Sequence, residues 1–193
     1  MLQDIRRQAA GSPIIRQAHA VRAGNSYASD GEAFQVIDRR AAADRIDWAD
    51  IVLCWRNETR RRMNAFMRRR RGIEPAAPPQ PGEPVMCLQN QRGGMMNGEI
   101  FTVRAYDRPG GLLLEHESGC IERPWFEWLS SERRHPRHSV PFALAYCVTV
   151  HKAQGSEWPH VLVLDESTGA DRPRWLYTAL TRASAAICIV PMT

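Results

Sequence analysis

The chain has 193 residues, of which 44% are hydrophobic, 8% aromatic and 24% charged. This composition is typical of a globular protein and excludes collagen-like and wholly disordered chains. The length allows one ordinary domain with a small insertion or two small domains, and the formal net charge of +5 is compatible with a polyanionic partner.

No part of the sequence resembles a membrane or secretion signal. The apolar stretches are all shorter than the roughly 18 to 20 residues that a membrane-spanning helix needs. The charged segment Met1–Arg7 lacks the apolar centre of a signal peptide. We therefore expect a cytoplasmic protein with no membrane partner.

The cysteines are spaced about thirty or more residues apart, mostly within apolar runs, and form no CxxC pair. Their number is odd, which argues against a disulfide framework. We predict buried, reduced thiols and no metal ligands. The residues are Cys54, Cys87, Cys120, Cys147 and Cys188.

The first third of the chain alternates helical and strand patterns. Leu2–Ala9 is predicted to be a short helix, and Ser12-Pro13 begins a second helix that stops at Gly24. The segments 33–37 and 50–55 are predicted strands, the second fully buried because its apolar residues are continuous. A helix with many arginines is predicted over 58–71, with Asn57 as its cap.

The middle third has a different composition. Residues 74–84 carry five prolines and are predicted to be an extended linker. Beyond them, short alternating runs are separated by glycine-containing turns such as Asn97-Gly98. This pattern predicts a small antiparallel barrel or sheet of about 50 residues.

The last third returns to buried strands and helices. Strands are predicted over 142–150, 161–164 and 186–190, with a helix over 174–182 before the last of them. This order is typical of an α/β fold with a parallel sheet. We predict one α/β domain, formed by residues 1–84 and 140–193, that is interrupted by a β insertion over 85–139.

The strand and acidic pair Val161–Glu166 could be the magnesium-binding strand of a nucleoside triphosphatase. Such an enzyme also needs a GxxxxGK[ST] loop to hold phosphates. The single lysine, Lys152, is followed by Ala153, and no glycine lies in the ten residues before it. We therefore interpret Val161–Glu166 as a core strand that ends in a solvated Asp165-Glu166.

Polar residues are concentrated between Thr149 and Trp158, at the end of a predicted buried strand. Ligands of α/β proteins bind just beyond the carboxyl ends of strands, so this cluster is a candidate binding site. The alternative is a helix capped by Thr149 with a solvated Lys152. Downstream, Arg182 closes a predicted helix, where arginine is ordinarily a partner of the helix dipole.

The two C-terminal motifs, VTVHKAQGSEW over 148–158 and LYTALTRA over 176–183, resemble the last two motifs of superfamily 1 DNA helicases of the RecD-like group. Residues 5–15 resemble the motif that opens the second motor domain of that family. Leu53–Asn57 with Arg60 and Asn64 is similar to its strand-then-helix segment. Gly82–Met86, with Asn97–Glu99, is similar to the start of its SH3-like insertion.

The resemblance implies a RecA-like α/β fold in which this chain is the second of two motor domains. ATP and Mg²⁺ would lie between the domains, and the first domain, absent from this chain, would supply the phosphate-binding lysine and the magnesium carboxylate. Arg182 would be an arginine finger and Arg7 a second contact to the γ-phosphate. Gln154, Gly155 and Glu157 would bind ATP.

The same resemblance implies contacts to single-stranded DNA from five residues. Hydroxyl, amide and cationic donors follow phosphates, and an imidazole also stacks on bases. The arginines of 60–62 and 68–71 either bind the DNA backbone or are solvated and keep the domain soluble. The implied strand-binding residues are Asn57, Arg60, Thr149, His151 and Lys152.

We therefore predict the C-terminal half of an ATP-dependent DNA helicase, a hydrolase of DNA repair or recombination that needs an N-terminal motor half in cis or in trans. Alone, the chain is expected to have no ATPase activity, because the phosphate-binding loop and the magnesium-binding strand are missing. One alternative is a non-catalytic module that binds single-stranded nucleic acid. Another is an interaction domain that acts through the SH3-like insertion.

Overall fold

The computed structural model describes residues 12–90, 94–108, 111–119, 121–122, 126–128 and 140–192. The predicted helix Leu2–Ala9 lies outside these residues, and so does Arg7. The described helices are α1 (Pro13–Arg22), α2 (Arg39–Arg45), α3 (Asn57–Arg70) and α4 (Arg172–Leu180). The described strands are β1 (Phe34–Val36), β2 (Ile51–Cys54), β3 (Pro84–Cys87), β4 (Ile100–Arg108), β5 (Gly111–His116), β6 (Ile121–Glu122), β7 (Phe126–Trp128), β8 (Val140–Leu144), β9 (Cys147–Thr149), β10 (Trp158–Asp165) and β11 (Ala183–Pro191).

The chain divides into two compact units. One contains the described residues up to Arg60 and from Val148 onward, and the other contains those between Arg61 and Cys147. The predicted boundaries at 84/85 and 139/140 concern the motor domain and its insertion, and they stay a prediction. No helix in the described part of the chain is long and apolar enough to cross a membrane.

The first unit is built on a sheet with the strand order β1-β11-β10-β2-β9, as far as the described residues go. β10 pairs in parallel with β2 and β11, and β1 pairs in parallel with β11. Ile51–Cys54 and Val161–Leu164 are buried throughout, as continuous apolar strands in a covered parallel sheet must be. The predicted strands in these regions are therefore confirmed.

The helices of the first unit begin where the sequence offers a suitable residue. α1 starts at Pro13, after Ser12 in extended backbone, and buries Ile14, Ala18 and Val21. α2 was not predicted, although Asp38 is a readable cap: its carboxylate accepts a hydrogen bond from the Ala41 amide at 2.7 Å. The predicted helix 174–182 begins two residues earlier than expected, at Arg172.

The second unit contains a separate sheet with the strand order β6-β5-β4-β3-β8-β7 among the described residues. Its neighbours are antiparallel except for β7 and β8, which pair in parallel. Phe101 and Val103 are buried whereas Arg104 is exposed, which is the alternation of a sheet with one covered face. The predicted fold class, a parallel α/β sheet with a separate small antiparallel sheet, is confirmed, apart from the one parallel pair of β7 and β8.

The prediction of one strand over 142–150 is wrong. The chain leaves the second sheet after Leu144 and enters the first sheet at Cys147. Asn64 explains the break, because its amide nitrogen donates to the Cys147 carbonyl at 2.8 Å and its amide oxygen accepts from the Cys147 amide at 3.0 Å. A side chain of α3 thus satisfies backbone groups that a continuous strand would direct to a neighbouring strand.

Residues 74–83 are not the free linker that their prolines predict. Arg68 of α3 is fully buried and donates to the carbonyls of Pro75, Ala77 and Pro78 at 3.0, 2.6 and 2.9 Å. It also donates through Nε and Nη2 to the two carboxylate oxygens of Glu83 at 2.9 and 2.7 Å. The segment therefore folds around a buried guanidinium, and Arg68 is neither solvated nor exposed to DNA.

The prediction that the cysteines are buried thiols is confirmed for the described residues. Cys54, Cys87, Cys147 and Cys188 are free and buried, and Cys120 lies outside the described part of the chain. Burial raises the pKa of the Cys188 thiol above its ordinary value, so this side chain is a neutral core residue rather than a reactive thiolate.

Candidate functional site

The candidate residues of the first unit lie at two opposite edges of its parallel sheet. Because β2, β10 and β11 are parallel, their carboxyl ends meet at one edge, which we call the carboxyl edge. Their amino ends meet at the other, the amino edge, where Trp158 pairs with Ala183. The loop 150–157 precedes β10 and α4 precedes β11, so both segments run from the carboxyl edge to the amino edge.

Arg182 lies at the amino edge, just after α4. Its Nε donates to the Thr178 carbonyl at 3.1 Å and its Nη1 to the Ser156 carbonyl at 3.0 Å. Its Nη2 donates to Thr181 Oγ1 at 3.3 Å. A guanidinium has five N–H groups, so these contacts leave one on each Nη without a partner among the described residues.

The surroundings of Arg182 affect its pKa in two directions. Burial lowers the pKa below its ordinary value, and the negative charge of Glu157 partly offsets this effect. The side chain nevertheless stays protonated, since arginine is not deprotonated in proteins. The amino edge thus holds a cation that is fixed by backbone carbonyls, beside an exposed carboxylate.

Gly155 gives the loop 150–157 a conformation that other residues rarely adopt. Its φ is +92°, and an added Cβ would meet no atom within 4 Å. The constraint is therefore the backbone dihedral rather than crowding. The loop continues as turns, with the Lys152 and Ala153 amides donating to the Thr149 carbonyl at 2.8 and 3.1 Å. The alternative of a helix capped by Thr149 is wrong.

Glu166 organises the carboxyl edge. Its carboxylate accepts hydrogen bonds from the Trp55 and Arg56 amides at 3.1 and 2.7 Å and from Thr59 Oγ1 at 2.6 Å. These groups surround the first turn of α3, where unpaired N–H groups and the helix dipole favour an anion. Glu166 thus joins the end of β10 to the beginning of α3.

Asp165 is the centre of a second network at the same edge. It accepts from the Tyr27 hydroxyl at 2.8 Å, from Ser167 Oγ at 2.6 Å and from Arg172 Nη2 at 2.5 Å. Burial and the hydrogen bond to Asp165 raise the pKa of Tyr27. The expectation of a solvated acidic pair is wrong, because Asp165 and Glu166 are only 2% and 9% exposed and both carboxylates accept hydrogen bonds.

Comparison with known proteins finds similarity to helicases. Residues 144–190 match the family model of the UvrD-like helicase C-terminal domain. The structure resembles the Pif1 helicase from Bacteroides in complex with ADP-AlF3 and single-stranded DNA, with a TM-score of 0.60, 17% identity and coverage of 92% of this chain and 48% of that one. It also resembles the Pif1 helicase from Candida albicans, with a TM-score of 0.59, 17% identity and coverage of 97% and 55%.

The predicted resemblance to helicases is thereby confirmed, by the family-model match over residues 144–190 and by a fold shared with the Pif1 structures. The chain spans about half the length of the Pif1 structures it matches. The comparison with curated protein sequences found no match. Assignment to the RecD-like group stays a prediction.

The residues predicted to bind ATP lie in the second half of the loop 150–157. Glu157 lies near Arg182 at the amino edge, and Arg182 Nη1 donates to the carbonyl of Ser156, the residue after Gly155. Gln154 borders a cavity of about 300 Å³ together with His151. Arg7 lies outside the described residues, so its predicted proximity to Arg182 stays a prediction.

The predicted strand-binding residues gather near the carboxyl edge but differ in accessibility. His151 and Asn57 are exposed, and Lys152 is half-buried. Thr149 and Arg60 are buried, at 6% and 7% exposure, and Arg60 Nε donates to Asn57 Oδ1 at 3.2 Å. Arg60 is therefore placed to orient Asn57, and its predicted direct contact with DNA stays a prediction.

The sequence reasoning missed Glu166 as a structural residue of this site. We expect Glu166→Ala to lower the free energy of unfolding by roughly 2 kcal/mol, since it removes a charged acceptor from the start of a helix. Chemical denaturation followed by circular dichroism measures this loss. Exposed Glu58, in the first turn of α3, is the matched control, and Glu58→Ala should cost less than about 1 kcal/mol. Equal losses for the two variants would contradict the assigned function of Glu166.

Proposed function

We propose that this chain is the second motor domain of an ATP-dependent DNA helicase. In this proposal the amino edge faces ATP, and the carboxyl edge binds single-stranded DNA. The observation that supports it most directly is Arg182, a guanidinium fixed by backbone carbonyls at the amino edge with two N–H groups left for a phosphate. The Bacteroides Pif1 structure was solved with ADP-AlF3 and single-stranded DNA.

The residues near Arg182 suit a nucleoside triphosphate. A planar guanidinium binds two phosphoryl oxygens and neutralises charge that develops as the γ-phosphate leaves. Glu157 would accept hydrogen bonds from ribose hydroxyls, and Gly155 would allow the backbone to approach the nucleotide. We assign Gln154 and Arg7 to the same cleft, as the resemblance implies.

Magnesium belongs to the other motor half in this proposal. The described residues contain no group of three or more His, Cys, Asp or Glu side chains that could hold a metal ion, and the buried acids Asp165 and Glu166 are engaged in hydrogen bonds. An N-terminal half with a GxxxxGK[ST] loop would supply the lysine and the magnesium ligands. A cytoplasmic location and work in DNA repair or recombination belong to the same proposal.

Two connections between the edges support coupling of hydrolysis to movement on DNA. The loop 150–157 links the strand-binding residues Thr149 and His151 to Glu157 beside Arg182. Along α4, the Thr178 hydroxyl donates to the Arg174 carbonyl at 2.9 Å, and the Thr178 carbonyl accepts from Arg182. A shift at one edge would therefore be transmitted through rigid, hydrogen-bonded segments to the other.

Strand binding is tested by fluorescence anisotropy with a labelled single-stranded oligonucleotide over a series of salt concentrations. Affinity should fall with salt, with a slope of about 0.7 in log affinity against log salt for each phosphate contact. Lys152→Ala should reduce the slope by about that amount. The control is Arg40→Ala, a change of an exposed cation on α2, which should leave the slope unchanged.

The alternative of a non-catalytic module makes the same binding prediction but a different enzymatic one. If strand binding is steeply salt-dependent and adding an N-terminal motor half restores no ATP hydrolysis, the chain is a non-catalytic binding module. If mixing the chain with that half restores DNA-stimulated ATP hydrolysis, the helicase proposal is correct. Absence of strand binding at low salt would contradict both and favour an interaction domain.

A further inference from the structure

The hydroxyl of Thr181 lies between the end of α4 and the guanidinium of Arg182. Thr181 directly follows α4, and its backbone amide donates to the Tyr177 carbonyl at 3.1 Å. Its hydroxyl lies 3.0 Å from the same carbonyl oxygen and 3.1 Å from that of Thr178. The hydroxyl is therefore held against the last turn of the helix, where carbonyls lack the amides of a following turn.

The direction of each hydrogen bond at this hydroxyl is fixed by chemistry. A threonine hydroxyl has one hydrogen to donate and two lone pairs with which to accept, whereas a guanidinium can only donate. Carbonyl oxygens only accept, so the hydroxyl hydrogen is directed to the carbonyls of Tyr177 and Thr178. Arg182 Nη2 then donates to a lone pair of Thr181 Oγ1, at 3.3 Å. The hydroxyl thus connects the helix end to the guanidinium.

The acceptors around Arg182 fix the plane of its guanidinium as well as its position. Nε donates to the Thr178 carbonyl and Nη2 to Thr181 Oγ1, and these two oxygens are 3.1 Å apart. Arginine presents its N–H groups in a rigid planar fork, so two neighbouring acceptors along one side determine how the plane is turned. Nη1 binds the Ser156 carbonyl, which leaves one N–H on each Nη for a ligand.

We propose that Thr181 is a positioning residue for ATP hydrolysis, which orients Arg182 so that its remaining N–H groups face the γ-phosphate. The inference rests on the proposed function, because it assumes that Arg182 binds a nucleotide. It goes further by assigning a function to a hydroxyl that acts through Arg182 rather than on the nucleotide. Charge that is oriented in advance acts mainly on the transition state, so the hydroxyl affects the rate of hydrolysis more than ATP binding.

The first test follows the Arg182 Nε–H group by NMR in the full chain without nucleotide, with Arg182→Lys identifying the signal. Thr181→Val should speed exchange of this hydrogen with water roughly tenfold, because a hydrogen bond of a charged group is lost beside it. Thr181→Ser should keep the wild-type rate. Thr178→Val is the matched control, since the Thr178 hydroxyl also donates to the carbonyl four residues earlier, that of Arg174. It should leave the exchange unchanged.

The second test measures ATP hydrolysis by the chain assembled with an N-terminal motor half. Thr181→Val should lower kcat roughly tenfold and leave KM for ATP within about twofold, as expected for an interaction that acts in the transition state. In an Arg182→Lys background the same change should lower kcat less than about twofold, since lysine lacks the Nη2 that Thr181 binds. Thr181→Ser should retain most of the activity, because it keeps the hydroxyl.

The outcomes separate this inference from the proposed function. If Thr181→Val lowers kcat equally in both backgrounds, or leaves kcat and Nε–H exchange unchanged while Arg182→Ala inactivates the motor, Thr181 does not position Arg182 and the proposed function stands. Circular dichroism should show that the variants are folded. Thr181→Ala, which also lacks the hydroxyl and has a higher helix propensity than valine, should reproduce the effects of Thr181→Val. If the assembled wild-type motor hydrolyses no ATP, the proposed function fails together with this inference.

Discussion

Arg182→Ala is expected to lower ATP hydrolysis by the assembled motor at least about 1000-fold, the effect typical of an arginine finger. The assembled motor is this chain joined to, or mixed with, an N-terminal half that carries the phosphate-binding loop. Steady-state phosphate release in the presence of single-stranded DNA measures the loss. The chain alone should release no phosphate above background, with or without the substitution.

The size of this effect follows from how Arg182 is held. Three of its N–H groups bind carbonyl or hydroxyl oxygens of the chain itself, so the guanidinium is positioned before a nucleotide arrives. Preorganised charge is most effective where negative charge develops in the transition state. Arg182→Lys keeps the charge but loses the planar fork, and it should therefore recover only part of the activity.

Arg22→Ala is the matched control for this experiment. Like Arg182, Arg22 is a cation at the C-terminal end of a helix, and its guanidinium carbon is 4.9 Å from the centre of the Tyr177 ring on α4. The Arg22→Ala substitution should leave ATP hydrolysis within about twofold of wild type, since Arg22 contributes no group to the proposed cleft. Full hydrolysis by Arg182→Ala, or magnesium-dependent hydrolysis by the isolated wild-type chain, would contradict the assignment of Arg182.

The sequence predicted best those elements whose causes are local. The continuous apolar run at 50–55 predicted β2, and Ser12 with Pro13 predicted the start of α1, because the residues that determine each element are neighbours along the chain. Helix α2 also has local causes, since Asp38 is a favourable N-cap and alanines follow it. It was not predicted, because a helix of seven residues shows little helical periodicity in the sequence.

The errors concern contacts between distant parts of the chain. Glu166 accepts from Arg56, which is 110 positions away in sequence, and Asn64 binds Cys147, which is 83 positions away. No local pattern shows that a strand end will meet a helix start, because this depends on β2 and β10 being neighbours in the sheet. For the same reason the polar cluster 149–158 looked like one site, although the loop spans two edges.

Arg68 shows the opposite case, in which a local pattern is misleading. It lies in a run of arginines, and such a run is usually a solvated face or a phosphate-binding surface. Nothing in the run distinguishes one arginine from the next. Only the folded chain shows that helical geometry turns this side chain inward, towards the carbonyls that the prolines of 74–84 leave without strand partners.

Arg68→Ala is expected to lower the free energy of unfolding of the second unit by about 3 to 5 kcal/mol. Removing one partner of a buried ion pair leaves the other charge unpaired in a medium that solvates it poorly. Glu83 is 2% exposed and, among the described residues, would still accept from the Tyr146 hydroxyl at 3.1 Å and the Gln80 amide at 2.7 Å, which carry no compensating charge. The Pro75 and Ala77 carbonyls would also lose the hydrogen bonds from Arg68, and the Pro78 carbonyl would keep the one from the Gln80 side-chain amide at 2.9 Å. Chemical denaturation, with hydrogen exchange of the β3 and β4 amides as the local probe, measures the loss.

A neighbouring arginine provides the control for this experiment. Arg69 is exposed on the next position of α3, so Arg69→Ala should change stability by less than about 0.5 kcal/mol. Combining Arg68→Met with Glu83→Leu should cost less than Arg68→Ala, because an apolar pair leaves no buried charge behind. If Arg68→Ala and Arg69→Ala have the same small effect on stability, and Arg68→Ala alone weakens DNA binding, then Arg68 is a phosphate ligand and the buried network around Glu83 is wrong.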